Sequence, residues 1–496
     1  MSIHLSKSKY CQAVQCPKML WLNKNKPDAF DDGVMNMAVI ETGNEVGDLA
    51  MGLFGAYKEI PFKPDDFASM LHETKKLIRQ GTPIITEATF SFQGLLCMVD
   101  ILKNLGNNTV EIYEVKSSTG MKDIYYDDAS YQRYVLTMAG YNVNRVCLVH
   151  LNNEYVRHGA LDITELFHVE DITEKASAAH DTVAANISRF DAYMKNTTEP
   201  SDDIGEHCFS PYSCGFFGYC TRHLPTPNVF DIAGMLKKTK FKNYYNGVCS
   251  FQDLQDKGRL NAAQTLQIDA ELSDISHIDK KAISEFLATL SYPLYFLDFE
   301  TFNPAIPPYD GLSPYEKIVF QYSLHYIETE DGTLKHKEFL AEPGKDPRRP
   351  LAEQLCQDIP LNVCTTAYNR GFEKGVISKL AEAFPDLKDH LMNIHSNIRD
   401  IMIPFQKKHY YVKEMKGSYS IKYVLPALFP NDPSLDYSNL EDVHNGNDAS
   451  ATFARMASMS LQDQQKARNN LLKYCGLDTL AMVKVWEKLR EKANTP

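Results

Sequence analysis

The nine residues LYFLDFETF at positions 294–302 limit the fold of this chain more than any other stretch. Pro293 and Pro304 bound the run, which is too short for a helix of average length and therefore indicates a buried strand. Asp298 and Glu300 are two residues apart, and in a strand such residues point to the same face. Burying two like charges together is costly unless a cation compensates them. Oxygen ligands of this kind favour Mg²⁺ or Mn²⁺.

The composition is that of an ordinary globular protein: 496 residues, 44% hydrophobic and 23% charged. This length has room for about three domains of roughly 150 residues. The net charge of -12 means that contact with nucleic acid would need local basic patches. No apolar run approaches the roughly 20 residues that span a membrane, and the first residues lack the apolar core of a signal peptide. We therefore expect a cytoplasmic protein, in which the 11 cysteines do not form disulfides.

Three strand patterns in the first half carry charged residues within largely apolar runs. They are residues 84–90 with Glu87, residues 95–102 with Asp100, and residues 109–117 with Glu114 and Lys116. Glu114 and Lys116 share a face because they are two residues apart. Asp100 and Glu114 would bind a metal ion, and Lys116 would orient or deprotonate the attacking water beside a phosphate. A helix that begins near Asp128 carries Gln132, whose side chain could cover this site.

Three cysteines, Cys208, Cys214 and Cys220, lie in thirteen residues with the spacing C-x5-C-x5-C. A fourth ligand must come from elsewhere in the chain. Cys16, which precedes a proline, is the expected one, and Cys11 is the alternative. Four thiolates suit a [4Fe–4S] cluster and a tetrahedral zinc ion equally well.

Two acids of the second half complete a candidate metal site with Asp298 and Glu300. Glu373 lies in the first turn of a predicted helix, directly after a strand pattern at residues 363–368. Asp478 lies on a long predicted helix, four residues after Tyr474, so that both side chains share a helix face. His444 and Asp448 are the alternative pair, although the intervening Asn-Gly is typical of a turn.

Lysines and aromatic residues are interleaved between positions 407 and 422, and four of these lysines are candidate contacts for nucleic acid: Lys407, Lys408, Lys413 and Lys422. Aromatic rings stack on bases and lysines contact phosphates, so this composition suits a groove that follows a nucleic-acid strand. A solvated loop of the same composition is the alternative.

The motifs of the first half together resemble the PD-(D/E)XK nucleases of the RecB branch. The resemblance lies in the order Glu87, Asp100, Glu114-x-Lys116 and then a helix with Gln132. In these relatives, including the nuclease of CRISPR adaptation, an N-terminal cysteine joins three cysteines beyond the catalytic core around an iron–sulfur cluster. The resemblance thus implies a [4Fe–4S] cluster on Cys16 and the three later cysteines.

The motifs of the second half resemble the tyrosine branch of the DnaQ-type exonucleases, which have an RNase H-like fold. Asp298-x-Glu300, an acid after Asn-x-x-Phe, and Tyr474-x3-Asp478 carry this likeness. It implies two Mg²⁺ or Mn²⁺ ions on the four acids, a water-positioning role for Tyr474, and 3′→5′ polarity. The family usually has Asp where this chain has Glu373.

We therefore expect an α/β multidomain protein. Residues 1–224 would form a RecB-like PD-(D/E)XK domain, 225–290 a helical connector, and 291–496 a DnaQ-like RNase H-fold domain. The expected function is a bifunctional metal-dependent nuclease in DNA repair or in CRISPR or phage defence. DNA is the favoured substrate, as single strands or 3′ ends, and protein partners in a repair or defence complex are expected. The alternatives are an assembly factor with degenerate nuclease sites and a cluster-based redox sensor.

Overall fold

The computed structural model of the chain describes residues 4–34 and 37–495. The chain divides into two compact units, each with its own sheet and core. The first runs to His223 and includes Pro304–Glu316, and the second comprises Leu224–Asn303 and the chain from Lys317 onward. The predicted helical connector, residues 225–290, falls inside the second unit. The general expectation of an α/β multidomain fold is confirmed.

The described residues of the first unit contain seven strands and nine α-helices. The strands are β1 (Leu5–Ser6), β2 (Lys58–Glu59), β3 (Ile84–Phe92), β4 (Leu95–Gly106), β5 (Thr109–Lys116), β6 (Asn142–Leu151) and β7 (Phe167–Asp171). The helices are α1 (Lys7–Gln15), α2 (Pro17–Asn25), α3 (Met37–Ala50), α4 (Phe67–Arg79), α5 (Asp123–Met138), α6 (Ile163–Leu166), α7 (Thr173–Ala178), α8 (His180–Tyr193) and α9 (Phe217–Cys220).

The sheet of the first unit has the order β2-β3-β4-β5-β6-β7, with β1 beside β4. Strands β3, β4 and β5 are antiparallel neighbours, and Ile101 of β4 is paired on both sides. Its partners are Thr86 of β3 and Tyr113 of β5. Glu87, Asp100 and Glu114 are the sequence neighbours of these three paired residues, so they lie side by side on three adjacent strands. Alternation along the strands sends apolar side chains to a core on each face, with α5 and α8 on one side and α3 on the other.

The described residues of the second unit contain seven strands and eleven α-helices. The strands are β8 (His277–Ile278), β9 (Leu294–Phe302), β10 (Ile318–Ile327), β11 (Lys335–Leu340), β12 (Cys364–Ala367), β13 (Ile398–Asp400) and β14 (Tyr410–Tyr411). The helices are α10 (Lys237–Tyr245), α11 (Phe251–Lys257), α12 (Ala262–Ser273), α13 (Lys280–Leu287), α14 (Arg348–Asp358), α15 (Gly371–Ala383), α16 (Lys388–Asn397), α17 (Ile403–Gln406), α18 (Ile421–Leu428), α19 (Gly446–Met456) and α20 (Leu461–Asn494).

The predicted buried strand at residues 294–302 is confirmed as β9, the central strand of a five-stranded sheet ordered β11-β10-β9-β12-β13. Strand β9 is antiparallel to β10 and parallel to β12. The long helix α20 packs against β9 and β10. Apolar side chains of β9 enter the cores on both faces of the sheet. None of the described helices has the length and hydropathy needed to cross a membrane.

Candidate functional site

Four carboxylates converge beside the central strand of the second unit. Asp298 and Glu300 project from β9, Glu373 from the first turn of α15, and Asp478 from α20. Burial raises the pKa of Asp298 well above its ordinary value, and the negative charges of Asp478, Glu300 and Glu373 raise it further. The structure thus brings together the four acids that the sequence predicted as metal ligands.

Glu373 is held by the loop that precedes its helix. Asp400, at the end of β13, accepts hydrogen bonds from the backbone amides of Asn369 (3.0 Å) and Arg370 (3.2 Å) and so fixes the start of α15. Glu373 is only 1% exposed, and its Oε2 atom has no hydrogen-bond partner. Burial, followed by the nearby Asp400 charge, raises the Glu373 pKa to about 8. A buried carboxylate oxygen without a partner is costly unless a cation is present.

No described lysine, arginine or histidine is within ion-pair distance of these four carboxylates. Lys422 acts from further away, and its charge lowers the pKa values of Glu300 and Asp478. Burial outweighs this effect and raises the Asp478 pKa to about 6. The donor set therefore consists of uncompensated carboxylate oxygens, which fits a hard divalent cation such as Mg²⁺ or Mn²⁺.

Helix α20 is fixed in rotation by polar contacts with β10. Gln321, which is paired with Glu300 in the sheet, donates its amide N–H to the Leu471 carbonyl at 2.8 Å. Ser323, which is paired with Asp298, lies 2.6 Å from the Thr479 hydroxyl. These contacts flank the helical turn that carries Asp478. They hold its carboxylate toward the acids of β9.

Two tyrosine hydroxyls donate hydrogen bonds to Asp478. Tyr437 donates to Oδ1 at 2.6 Å, and Tyr474 donates from one turn earlier on α20. Burial raises the pKa of both tyrosines well above the ordinary value, and the Asp478 charge raises it further. Both hydroxyls therefore stay protonated at neutral pH, so they orient Asp478 or a water rather than act as bases. Sequence reasoning missed Tyr437, which lies in a short 3₁₀ turn without helical or strand periodicity.

Cys475 was also missed as a site residue. Its Sγ lies 3.9 Å from Asp298 Oδ2, and the ligand atoms of Asp298, Glu300 and Cys475 lie within 4.8 Å of one another. Burial raises the pKa of this thiol well above its ordinary value. The available signal was its place on α20 between two predicted site residues, three positions before Asp478.

The alternative pair, His444 and Asp448, forms a local structure at the start of α19. The His444 amide donates to Asp448 Oδ2 at 2.9 Å, and Asn445 donates to the same oxygen at 2.8 Å. The Asp448 carboxylate thus accepts hydrogen bonds from residues of its own turn. Gly446 of this turn lies against Glu300: a Cβ at that position would be 3.6 Å from Glu300 Oε2.

A cavity of about 650 Å³ is lined by Tyr437, which donates to Asp478, and by Lys422 and His444. The remaining walls are largely apolar and include Phe429 and Pro433. A space of this size and lining is typical of small-ligand sites.

The four lysines predicted to contact nucleic acid have different environments. Lys407 and Lys422 are exposed. Lys413 pairs with Asp274 at 2.7 Å. Lys408 is buried, donates to the Gly417 carbonyl at 2.7 Å, and has its pKa lowered to about 8 by burial. Lys408 therefore does not face solvent as that prediction requires.

The predicted residues of the first unit also converge. Lys116 Nζ lies 2.7 Å from Glu114 Oε1 and 2.6 Å from Asp128 Oδ2. Gln132 donates its amide N–H to Glu114 at 2.7 Å and to Asp128 at 3.1 Å. Burial lowers the Lys116 pKa, but Asp128 and Glu114 outweigh it and raise the value well above normal. Lys116 therefore stays charged, which favours an orienting role over that of a base.

Lys7 is an unpredicted member of this site. Its ammonium lies 3.3 Å from Asp100 Oδ1 and 2.9 and 3.1 Å from the two Glu114 oxygens. Asp100 also accepts the backbone amide of Val115 at 2.7 Å. Nothing in the local sequence pattern signals Lys7, because its partners lie 93 and 107 residues away in the chain.

Glu87 completes the acidic row but has no lysine in contact. Burial, followed by the charge of Asp100, raises its pKa to about 7, while Lys7 lowers it. Its backbone has a φ of 53°, which is unusual for a residue within a strand and for any residue other than glycine. Such strained positions often occur at functional sites.

The four predicted cluster thiols lie in one neighbourhood. Burial raises the Cys208 pKa to about 12, and the charges of Cys214, Cys16 and Cys220 add to the rise. Cys11 instead lies toward the acidic site, because Asp128 and Lys116 are the nearby charges that act on it after burial. The placement therefore favours Cys16 as the fourth ligand.

The local sequence explains the backbone conformation of Cys16. It separates α1 from α2, whose first residue is Pro17, and the residue before a proline is pushed toward an extended backbone. Burial raises the pKa of the Cys16 thiol, and the nearby backbone amides of Lys18 and Met19 partly offset this rise. Gln15 donates to the carbonyls of His207 and Tyr212, both at 2.7 Å, and so ties α1 to the cysteine segment.

The fold and these sites define an α/β protein with two separate clusters of acidic residues and a group of four thiols. A family described as "Domain of unknown function (DUF2779)" matches residues 295–420, which include Asp298, Glu300 and Glu373. "Uncharacterized protein UU173" of Ureaplasma parvum is 25% identical over 172 residues, or 32% of this chain. The matched region covers 24% of that relative's length. No solved structure matches the chain.

Proposed function

We propose that the second unit is a metal-dependent 3′→5′ exonuclease with a DnaQ-type, RNase H-like fold. The observation that carries the proposal is a set of four carboxylates without an ion-paired cation: Glu300 and Glu373 are buried, and Asp298 and Asp478 are half-buried. Phosphodiester hydrolysis by divalent ions uses such a set. The position of two of the acids on the central strand of a mixed sheet supports the same assignment.

The four carboxylates would hold Mg²⁺ or Mn²⁺, which supplies a nucleophilic water and stabilises the leaving oxygen. In the hydrolysis, the water oxygen bonds to phosphorus, the bond to the 3′ oxygen of the preceding nucleotide breaks, and that oxygen takes a proton. Tyr437 and Tyr474 keep Asp478 in one orientation through their hydroxyl donors. Lys422 attracts the substrate phosphate from the cavity wall.

The cavity beside the acids is where the terminal nucleotide would bind. Its volume of about 650 Å³ accommodates a nucleotide, and Phe429 and Pro433 offer apolar walls to a base. Tyr437 links this cavity to Asp478, and Lys422 on its wall would attract the phosphate. DNA is the favoured substrate.

The test uses single-stranded DNA and RNA labelled at the 5′ end, with Mg²⁺, Mn²⁺ or EDTA. Stepwise shortening from the 3′ end that requires the metal, and that disappears in Asp478→Asn, is the expected result. Asp448→Asn is the matched control, because this acid belongs to the turn that starts α19. Undiminished shortening of a strand blocked at its 3′ end would contradict the polarity. Full activity of Asp478→Asn would contradict the site.

A RecB-like PD-(D/E)XK nuclease is the candidate function of the first unit. The convergence of Glu114, Lys116, Asp128 and Gln132 in one hydrogen-bonded group favours it. As these residues stand, Lys7 occupies the space between the acids, so the set does not fit a divalent ion. We therefore derive no catalytic step for this unit.

The four thiols of the first unit fit an iron–sulfur cluster. Backbone amides near Cys16, Cys208 and Cys214 lower the pKa values of these thiols against the effect of burial, which favours the thiolates that a cluster needs. Among the described residues, the four thiols do not form a group within 4.8 Å of one another. Around a single tetrahedral zinc ion, with Zn–S of about 2.3 Å, the sulfurs would be closer together than that. The cluster would hold the N-terminal helices against the cysteine segment.

A further inference from the structure

We infer that the Lys7 ammonium serves as the resident cation of the first unit's acidic site and keeps divalent ions out of the space between Asp100 and Glu114. The inference rests on the proposed function only in taking Asp100 and Glu114 as the ligand pair of that site. It concerns ion occupancy, which can be measured without any nuclease activity.

The contacts of Lys7 carry the inference. Its Nζ is within 3.3 Å of one oxygen of Asp100 and of both oxygens of Glu114. Mg²⁺ requires ligand oxygens at about 2.0–2.1 Å, so an ion that bridged the same oxygens would occupy the volume of the ammonium. An ammonium and a divalent cation at that separation would also repel each other strongly. The two cations therefore exclude each other.

The position of Lys7 is fixed by its backbone. Lys7 is the first residue of α1 and directly follows β1, whose residues Leu5 and Ser6 pair with Leu95 and Leu96 of β4. The Tyr131 hydroxyl donates to the Leu5 carbonyl from the opposite side. The ammonium thus reaches the acids from a segment paired with the same strand that carries Asp100.

The charges and burial agree with this role. Glu114 is the innermost acid, with a side chain that is 2% exposed, and it contacts both Lys7 and Lys116. Asp100 pairs with Lys7, and Asp128 pairs with Lys116. Three acids thus share two ammonium groups, whereas the acids of the second unit have none in contact. Most of the charge of the first unit's site is therefore compensated without an added ion.

The first experiment counts Mn²⁺ bound per chain from the loss of the free-ion EPR signal, using anaerobically purified full-length protein. Asp298→Asn and Asp478→Asn are introduced together to disable the second unit. We expect this background to bind no Mn²⁺ at concentrations that fill the wild type. Adding Lys7→Met should create about one site per chain, and adding Glu114→Gln to that chain should remove it. Lys9→Met, on the exposed side of α1, is the matched control and should create none.

Two outcomes would overturn the inference. One is an ion that remains in the background chain and is lost on adding Asp100→Asn. The other is a folded Lys7→Met chain, checked by circular dichroism, that gains no ion. An ion in the background chain that is lost on adding Asp100→Asn overturns the inference even if Lys7→Met folds poorly. Failure of the second-unit proposal would appear separately, as equal Mn²⁺ binding by the wild type and the background.

A second measurement uses thermal stability. Lys7→Met leaves the acids without their cation, so Mn²⁺ should raise its melting temperature more than it raises that of the background chain. Lys7→Arg keeps the charge and should show no such gain. An equal Mn²⁺ effect on Lys7→Met and Lys7→Arg would contradict the exclusion of ions by Lys7.

Discussion

The acidic clusters of the two units have similar residues but opposite electrostatic states. In the first unit, Lys7 and Lys116 lie within 3.3 Å of the carboxylates they contact. In the second unit, no described basic side chain is close enough to pair with Asp298 or its three partners. Burial raises the pKa values of all four acids, and repulsion from the other acids of the set raises those of Asp298 and Glu300 further. The acids of the first cluster are paired within the protein, and those of the second form the site for which we propose a cation from solution.

This difference shows that acids on adjacent strands do not by themselves define a metal site. The decisive feature is what lies opposite them. In the second unit, the facing helix α20 brings Asp478, Tyr474 and Cys475, and Tyr437 contacts Asp478 from a separate turn, all without positive charge. In the first unit, α1 brings a lysine. Uncompensated buried acids imply an absent cation, whereas paired acids do not.

The largest expected effect is on activity in the second unit. Asp298→Asn and Asp478→Asn should each reduce 3′→5′ degradation by at least about 1,000-fold, because each removes a ligand of one shared set. The double variant should be no worse than either, since residues that act as a unit are non-additive. Rates from single-turnover degradation of a labelled strand provide the measurement. Additive losses would mean that the two acids do not share ions.

The next effect concerns the four thiols of the first unit, one of which lies at the end of the helix that carries Lys7. Cys16 ends α1, the helix that begins at Lys7, so loss of the cluster should loosen this helix. Protein purified without oxygen should contain iron and acid-labile sulfide, and Cys214→Ser should reduce both together with folding yield. Cys249→Ser, at a cysteine of the second unit, is the control. Stoichiometric zinc without iron would refute the cluster assignment.

A smaller effect is expected for the tyrosines that contact Asp478. Tyr474→Phe and Tyr437→Phe each remove one hydroxyl donor and no ligand, so each should slow degradation by roughly 10–100-fold, within the range for positioning groups. The Mn²⁺ count should stay unchanged in both. A Tyr437→Phe chain with wild-type rates would show that Tyr437 is only a structural neighbour of Asp478.

Cys475 offers a finer test of the second site. A thiol near the carboxylates favours softer ions, so Cys475→Ser should lower affinity for Mn²⁺ relative to Mg²⁺ by a few-fold. Competition between the two ions, followed by the Mn²⁺ EPR signal, measures the ratio. Cys364→Ser, a buried cysteine of the same unit, is the control. An unchanged ratio would place the Cys475 sulfur outside the ion's coordination shell.

Much of this architecture could be predicted from local sequence. Strands β3, β4, β5 and β9 follow apolar or alternating runs, and the carboxylates within them stand out because such runs otherwise exclude charge. The helices that carry Glu373 and Asp478 follow from ordinary periodicity. A strand of period two also fixes which residues share a face, so the pairing of Asp298 with Glu300 required no structure.

The remaining features depend on contacts between distant segments, which local patterns do not encode. Lys7 looks like an ordinary lysine until β1 pairs with β4. Lys408 belongs to a basic and aromatic run typical of a surface, but its ammonium donates a hydrogen bond to the Gly417 carbonyl. Tyr437 lies in an irregular segment and reaches Asp478 only in the folded unit. Lys7 and Tyr437 were missed, and Lys408 was placed on the surface, because their partners are set by tertiary packing.

The pH dependence follows from the raised pKa values in the second unit. An acid whose folded pKa exceeds its unfolded value binds protons more tightly when folded, so its stabilising contribution is present at low pH and is lost as pH rises. For Asp478 this stability is lost between the ordinary pKa of about 4 and the folded pKa of about 6, and for Glu373 between about 4 and about 8. Without metal, this unit should therefore become less stable between these pH values, and Mn²⁺ should stabilise it most at the upper end.

The measurement that tests the contrast most directly is the stability change on neutralising one acid in each unit, in EDTA at pH 8. Hydrogen exchange of β9 and of β5 reports each unit separately. Asp298→Asn removes repulsion between the acids, so it should raise the free energy of opening of β9 by on the order of 1–3 kcal/mol and slow exchange there. Glu114→Gln leaves two ammonium groups without their acceptor and should speed exchange in β5, at a cost of about 3 kcal/mol. Changes of the same sign in the two units would contradict the account.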